Sequence, residues 1–225
     1  MFFTIDGCDG TGKSTQITLL AQYLQELGHK VITCRDPGST AVGEQVRDLL
    51  LHRHDLHITR RCEMLLYMAA RAQLVDEIIR PALAAGKTVI SDRFLLANVA
   101  YQGYGGGLDV EMLWQVGRVA TAGVTPDLTL ILDASTDVTA ARINSQTDRK
   151  LDRMESQGLS FYDRVRKGYL AEAGRQSGQI VVIDADRAVE CVQADIRLAA
   201  QRIIKHQAYG EMEDSPDAQA FGGLA

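Results

Sequence analysis

Five short, almost wholly apolar runs punctuate the chain: "FFTI" (2–5), "KVITC" (30–34), "TVISD" (88–92), "LTLILD" (128–133) and "IVVID" (180–184). Apolarity unbroken over a strand's length means that both faces are covered, the condition of parallel strands in α/β proteins. Between the runs, apolar residues recur at spacings of three and four. Residues 13–27 gather Leu19, Leu20, Leu24 and Leu27, and residues 60–85 gather Met64, Leu65, Met68, Ala72, Val75 and Ile79. These spacings predict amphipathic helices, with Pro81 marking a bend or last turn in the second. Strands alternating with helices predict a doubly wound α/β fold with a five-stranded, mostly parallel sheet.

The chain has 225 residues, of which 46% are apolar, enough for one sizeable core. Its net charge of −5 argues against a general nucleic-acid binder. Residues 207–225 contain Glu211, Glu213, Asp214 and Asp217 and neither Lys nor Arg, so they read as an acidic, disordered tail. Residues 1–206 then form a single domain. Cysteines 8, 34, 62 and 191 show no metal or redox spacing and read as reduced thiols of a cytoplasmic protein. The first residues lack the basic and apolar regions of a signal peptide, and no apolar stretch reaches membrane-spanning length.

Between the first strand and first helix lies "GCDGTGKS", Gly7 to Ser14, which fits G-x-x-x-x-G-K-[ST] with the required flanks. Glycines let successive backbone N–H groups converge on phosphate oxygens at the positive end of a helix. Gly7, Cys8, Asp9, Gly10, Thr11, Gly12, Lys13, Ser14 and Thr15 therefore form the expected ATP or GTP cradle. Lys13 supplies a cation and Ser14 a hydroxyl for Mg²⁺. This turn makes the predicted fold a P-loop α/β/α sandwich but does not name the phosphoryl acceptor.

Three further stretches bear on the acceptor: "RDPGST" (35–40), "LLYMAARAQLVDEIIRPAL" (65–83) and "SDRFLLANVAYQG" (91–103). With the P-loop, they resemble the motifs of the thymidylate kinase family, in the right order over residues 2 to about 200. "LDRMESQGLSFYDRVRKGYL" (151–170) is similar to that family's lid and following helix. The resemblance implies transfer of the γ-phosphoryl of ATP to dTMP with Mg²⁺. It also implies a homodimer packed through long helices, with no nucleic-acid or membrane partner.

The residue chemistry agrees with such a transfer. Arg35 and Arg93 follow strands, where ligands of parallel sheets bind, and Arg71 lies on the long helix. Arg93 and Arg35 are expected at the acceptor phosphate. Asp92 either assists Mg²⁺ through water or caps the next helix. By resemblance, Asp9 bonds the acceptor 3′-OH, Asp36 takes the place of a usual Glu, Tyr67 stacks on the base and Arg71 donates to a pyrimidine carbonyl. Asn98 can serve the N3–H and carbonyl edge. By the same resemblance, Tyr101 is expected to crowd the 2′ position and Gln102 to contact the nucleotide.

Two residues depart from the family pattern. Ala97 replaces a usual Ser, and Ser39 replaces a glycine, which asks for a negative φ or an altered loop. Gly10 stands where some members carry arginine. The cation at the transferring group is then expected from the lid at about 142–153, "RINSQTDRKLDR", with Arg149 and Arg153 favoured. Two other functions fit parts of the pattern: a deoxynucleoside kinase using Asp36 as base, and a non-catalytic ATP-binding switch.

Overall fold

A computed structural model describes residues 1–144, 153–154 and 157–213. Its strands are β1 (Phe2–Asp6), β2 (Val31–Arg35), β3 (Thr88–Asp92), β4 (Leu128–Asp133) and β5 (Ile180–Asp184). They form one sheet in the order β2-β3-β1-β4-β5, with every pairing parallel. The sheet is thus wholly rather than mostly parallel. Order reverses beside β1, so the turn leaving β1 stands at a topological switch point.

Side chains on successive strand residues enter opposite cores. Phe2, Val89 and Ile131 pack on one side; Phe3, Ile90 and Leu130 pack on the other. Each such apolar side chain contributes on the order of 1.5–3 kcal/mol when fully buried. Helices α1 (Lys13–Glu26) and α9 (Val189–Glu213) cover the second face. The first face receives α3 (Arg60–Leu74), α5 (Leu95–Asn98), α6 (Val110–Thr121) and α8 (Leu159–Arg175). Helix α2 (Ala41–Leu51) packs on α3. Helix α9 continues seven residues beyond His206, where the sequence reading ended the domain.

The expected bend near Pro81 is a π-helical turn over Val75–Ile79, followed by α4 (Arg80–Ala84). Proline offers no N–H to the carbonyl four residues back and crowds it, so the helix widens ahead of it. The N–H of Arg80 accordingly reaches back to Val75. A second π-helical turn, Val99–Gly105, follows α5 and carries Tyr101 and Gln102 into the site. The remaining helix, α7 (Thr136–Asn144), leads into the stretch expected to form a lid; positions 145–152, including Arg149, lie outside the described residues.

Candidate active site

The P-loop leaves β1 through Gly7, whose φ is +130°. A Cβ there would lie 2.4 Å from the carbonyl oxygen of Leu132, so glycine is required by both strain and space. Gly10 and Gly12 also have positive φ, and Gly12 caps α1. Lys13 folds back under the loop: its Nζ donates to the carbonyls of Cys8 at 2.7 Å and Gly7 at 3.2 Å. Ser14 lies exposed in the first turn of α1.

Arg93 sits just past β3 with φ +67°, a left-handed conformation costing ~1–3 kcal/mol in a non-glycine residue. Its N–H donates to the carbonyl of Ile5, while its own carbonyl accepts from Ser91 Oγ, fixing the strained turn. Nη1 donates to the Gly7 carbonyl at 2.9 Å and to the Tyr169 hydroxyl at 3.2 Å. Nη2 donates to Asp9 Oδ1 at 2.6 Å and to the Tyr101 hydroxyl at 3.2 Å. The Tyr101 hydroxyl donates to Asp9 Oδ2 in turn. Burial would raise the Asp9 carboxyl, but Arg93 and Lys13 beside it hold it down at about 2.

Beside Arg93 opens a pocket lined by eight of the nine residues expected at the acceptor: Asp9, Asp36, Tyr67, Arg71, Arg93, Asn98, Tyr101 and Gln102. Ala97, in place of the usual Ser, lies on the same wall. Arg71 is almost wholly buried. Its Nε donates to Asp36 Oδ2 at 2.6 Å, Nη2 donates to the Phe94 carbonyl, and the guanidinium lies over the Phe94 ring. Asn98 Nδ2 donates to Gln102 Oε1 at 2.7 Å, and Gln102 Nε2 donates to Glu63 Oε1 at 2.9 Å.

Arg35 is not on this wall. Its Nη2 donates to both carboxylate oxygens of Glu44 at 2.9 Å, and the pair is half exposed. Arg47 of α2 lines the pocket instead, with Nη1 donating to the Pro37 carbonyl. Ser39 has φ +64°, so the negative φ that was one of the two expected alternatives does not hold. Its strain is offset by two hydrogen bonds: its N–H donates to Glu44 Oε1, and its Oγ accepts from the Arg35 N–H.

Arg153 pairs with Glu63, donates to the Leu50 carbonyl and lines a neighbouring hollow rather than the P-loop. Arg142, in the last turn of α7, reaches the P-loop: Nη1 lies 3.5 Å from the Gly10 carbonyl, and Nη2 donates to the Ala185 carbonyl. Asp92 caps no helix, since α5 begins after Phe94 without a side-chain cap. Its Oδ1 is buried and has no hydrogen-bond partner among the described residues.

Sequence reasoning missed Arg47, Glu63 and Tyr169. Arg47 and Glu63 lie on α2 and α3 outside the quoted stretches, and Tyr169 lies within 151–170, where nothing in the sequence marked its hydroxyl for Arg93. It also missed Asp6. That buried carboxyl closes β1, accepts from the Tyr169 hydroxyl through Oδ1 and leaves Oδ2 without a partner among the described residues. Burial pushes it up to about 7, against the opposing charges of Arg93 and Lys13.

A parallel sheet with a P-loop at its switch point, facing a second pocket that shares an arginine with it, defines a P-loop phosphotransferase class of site. A thymidylate kinase family model matches residues 5–196. The chain is 46% identical over 203 residues to a thymidylate kinase of Pelotomaculum thermopropionicum, covering 90% of this chain and 94% of that one. A thymidylate kinase of an Exiguobacterium species is 42% identical over 87% of this chain and 92% of its own length. The crystal structure of thymidylate kinase from Ehrlichia chaffeensis superposes with a TM-score of 0.73 at 32% identity, covering 89% of this chain and 98% of that chain. The chain belongs to the thymidylate kinase family.

Proposed function

We propose that the protein transfers the γ-phosphoryl of ATP to dTMP, giving dTDP and ADP, with the residue roles set out below. One observation carries the assignment of roles: a single guanidinium, that of Arg93, touches both the P-loop at Gly7 and the acceptor pocket at Asp9 and Tyr101. A nucleotide phosphate on either side would meet the same cation.

The second pKa of the acceptor phosphate lies near ~6, so at neutral pH its oxygen is already a nucleophile and no general base is needed. The work left to the protein is to bring two anions together and hold them in line. The P-loop amides and Lys13 hold the donor phosphates, with Lys13 Nζ exchanging the carbonyls of Gly7 and Cys8 for phosphate oxygens. Arg93 spans donor and acceptor phosphates, with Arg47 on the acceptor side. Tyr67 and Arg71 receive the base, and Asn98 faces its N3 edge. Arg142 supplies the lid-side cation in place of the arginine that Gly10 does not provide.

The exposed Ser14 hydroxyl and the Asp92 carboxylate oxygen, without a partner among the described residues, fit Mg²⁺, which the first would hold directly and the second through water. Bound Mg²⁺ would neutralise charge on the β- and γ-phosphates. Cytoplasmic placement is supported by four free cysteines. Among the described residues, no helix is long and apolar enough to cross a membrane. Homodimerisation is supported by the exposed apolar side chains Leu65 on α3 and Val119 on α6.

The deoxynucleoside-kinase reading needs Asp36 as a base, but its carboxylate is fully buried against Arg71. ADP release measured with dTMP, dUMP, dCMP, dGMP and thymidine tests the reading. dTMP is expected to be the best acceptor. Preference for thymidine, or ADP release indifferent to acceptor, would overturn it.

A further inference from the structure

We infer that Glu63 is a specificity-determining positioning residue: through Gln102 it fixes the carboxamide of Asn98 with its oxygen toward the base, selecting pyrimidines that carry a proton at N3. The inference rests on the dTMP-kinase reading of this pocket and deepens it.

The argument follows hydrogen-bond polarity along one chain of buried side chains. Arg153 donates to Glu63 Oε2, since a guanidinium can only donate. Glu63, as a carboxylate, only accepts, so whatever faces Oε1 must be an N–H. That group is Gln102 Nε2. Placing nitrogen there puts Gln102 Oε1 at the other end of the amide, where it must receive an N–H. Asn98 Nδ2 supplies it at 2.7 Å. Asn98 Oδ1 is then left over. It is buried, has no hydrogen-bond partner among the described residues and belongs to a residue on the pocket wall. No amide in the chain can flip without setting two donors or two acceptors against each other.

An unpartnered buried acceptor is costly and is relieved by a ligand that brings a donor. Thymine and uracil carry N3–H, whereas cytosine presents a lone pair at N3. The rejection of cytosine is therefore written partly at Glu63, two hydrogen bonds away from the base.

Substitution at Glu63 has a directional consequence. In Glu63→Gln, Arg153 still demands the oxygen, so the new amide nitrogen faces Gln102. Gln102 must turn to accept it, and its nitrogen then donates to Asn98 Oδ1. Asn98 now presents N–H to the pocket, the complement of cytosine N3. A residue that merely braced the fold would lower turnover of all acceptors alike.

The test compares kcat/KM for dTMP and dCMP in the wild-type protein, Glu63→Gln and Gln102→Met, with circular dichroism as a check on folding. The expected result is a dTMP-to-dCMP ratio lowered at least tenfold in Glu63→Gln, with dCMP turnover rising. Gln102→Met, which cuts the chain while leaving Glu63 and Arg153 paired, should also lower the ratio and decides the matter if Glu63→Gln does not fold. An unchanged ratio in folded variants of an enzyme that phosphorylates dTMP overturns the inference alone. Absence of dTMP turnover in the wild-type protein overturns both the inference and the functional reading.

Discussion

Asp9 Oδ1 lies 2.6 Å from Arg93 Nη2, so an acid inside the P-loop is clamped to an arginine from the strained turn after β3. The clamp joins the P-loop to the neighbouring pocket, where the proposed reaction places donor and acceptor. Arg93→Lys should therefore lower kcat/KM for dTMP by roughly 10²–10³, although charge is retained. An ammonium cannot reproduce two nitrogens that meet Gly7, Tyr169, Asp9 and Tyr101 together. Steady-state ADP release measures this, and near-normal turnover would remove Arg93 from the phosphate path.

Lys13→Ala should abolish transfer while leaving the fold intact. The side chain is bonded to loop carbonyls and lies 3.8 Å from Asp9, so its loss opens no apolar core. Product formation over hours, set beside circular dichroism, checks both halves of the statement.

Replacing Arg142 and Arg153 separately by alanine should divide two roles. Arg142 reaches the Gly10 carbonyl, so Arg142→Ala is expected to lower kcat far more than it raises KM for either substrate. Arg153 is anchored at Glu63 and Leu50, so Arg153→Ala should act mainly on KM for dTMP. The reverse pattern would return the catalytic lid role to Arg153.

Asp36→Ala should destabilise the protein by about 3–5 kcal/mol, because it strands the buried Arg71 guanidinium without its carboxylate. Urea unfolding measures this. The double variant Asp36→Ala with Arg71→Met should recover part of the loss, since it removes the uncompensated charge.

Asp6 gives the stability a pH dependence of predictable sign. In the unfolded chain its carboxyl ionises near ~4, while burial in the fold raises it to about 7. Between these values the folded protein binds the extra proton, so this residue's contribution to stability falls as pH rises and levels off above 7. The opposite holds for Asp9: held down at about 2, it adds stability that is lost only on acidification below ~4. Asp6→Asn should thus gain stability relative to wild type from pH 4 to 7, by on the order of 4 kcal/mol. Parallel curves in urea titrations across that range would refute the buried-acid account.

Much of the architecture was legible because its signals are local. Apolar runs such as "TVISD" and "LTLILD" can only be strands covered on both faces, and Pro81 disturbs its helix through a covalent fact about proline. Residues that share the pocket wall were legible where a motif sets their spacing, as with Arg93, Asn98 and Tyr101. Arg35 shows where spacing fails. It closes β2 as anticipated, but its side chain found Glu44, nine residues on, and left the pocket wall to Arg47. Likewise, Ser39 stands at a motif glycine, but the sequence does not announce what holds its positive φ. The stabilising bonds come from Glu44 and the Arg35 amide.

By itself the sequence determined the parallel α/β layering, the glycine-rich turn at Gly7–Thr15 and the arginines that follow the strands. These follow from periodicity, from glycine's freedom and from side-chain chemistry within a few residues. Only the tertiary structure decided which partners those groups take: Asp36 for Arg71, Tyr169 for Asp6, and Glu63 for Gln102. Hydrogen-bond direction and burial are properties of contacts between distant segments, and a linear chain does not fix them until it has folded.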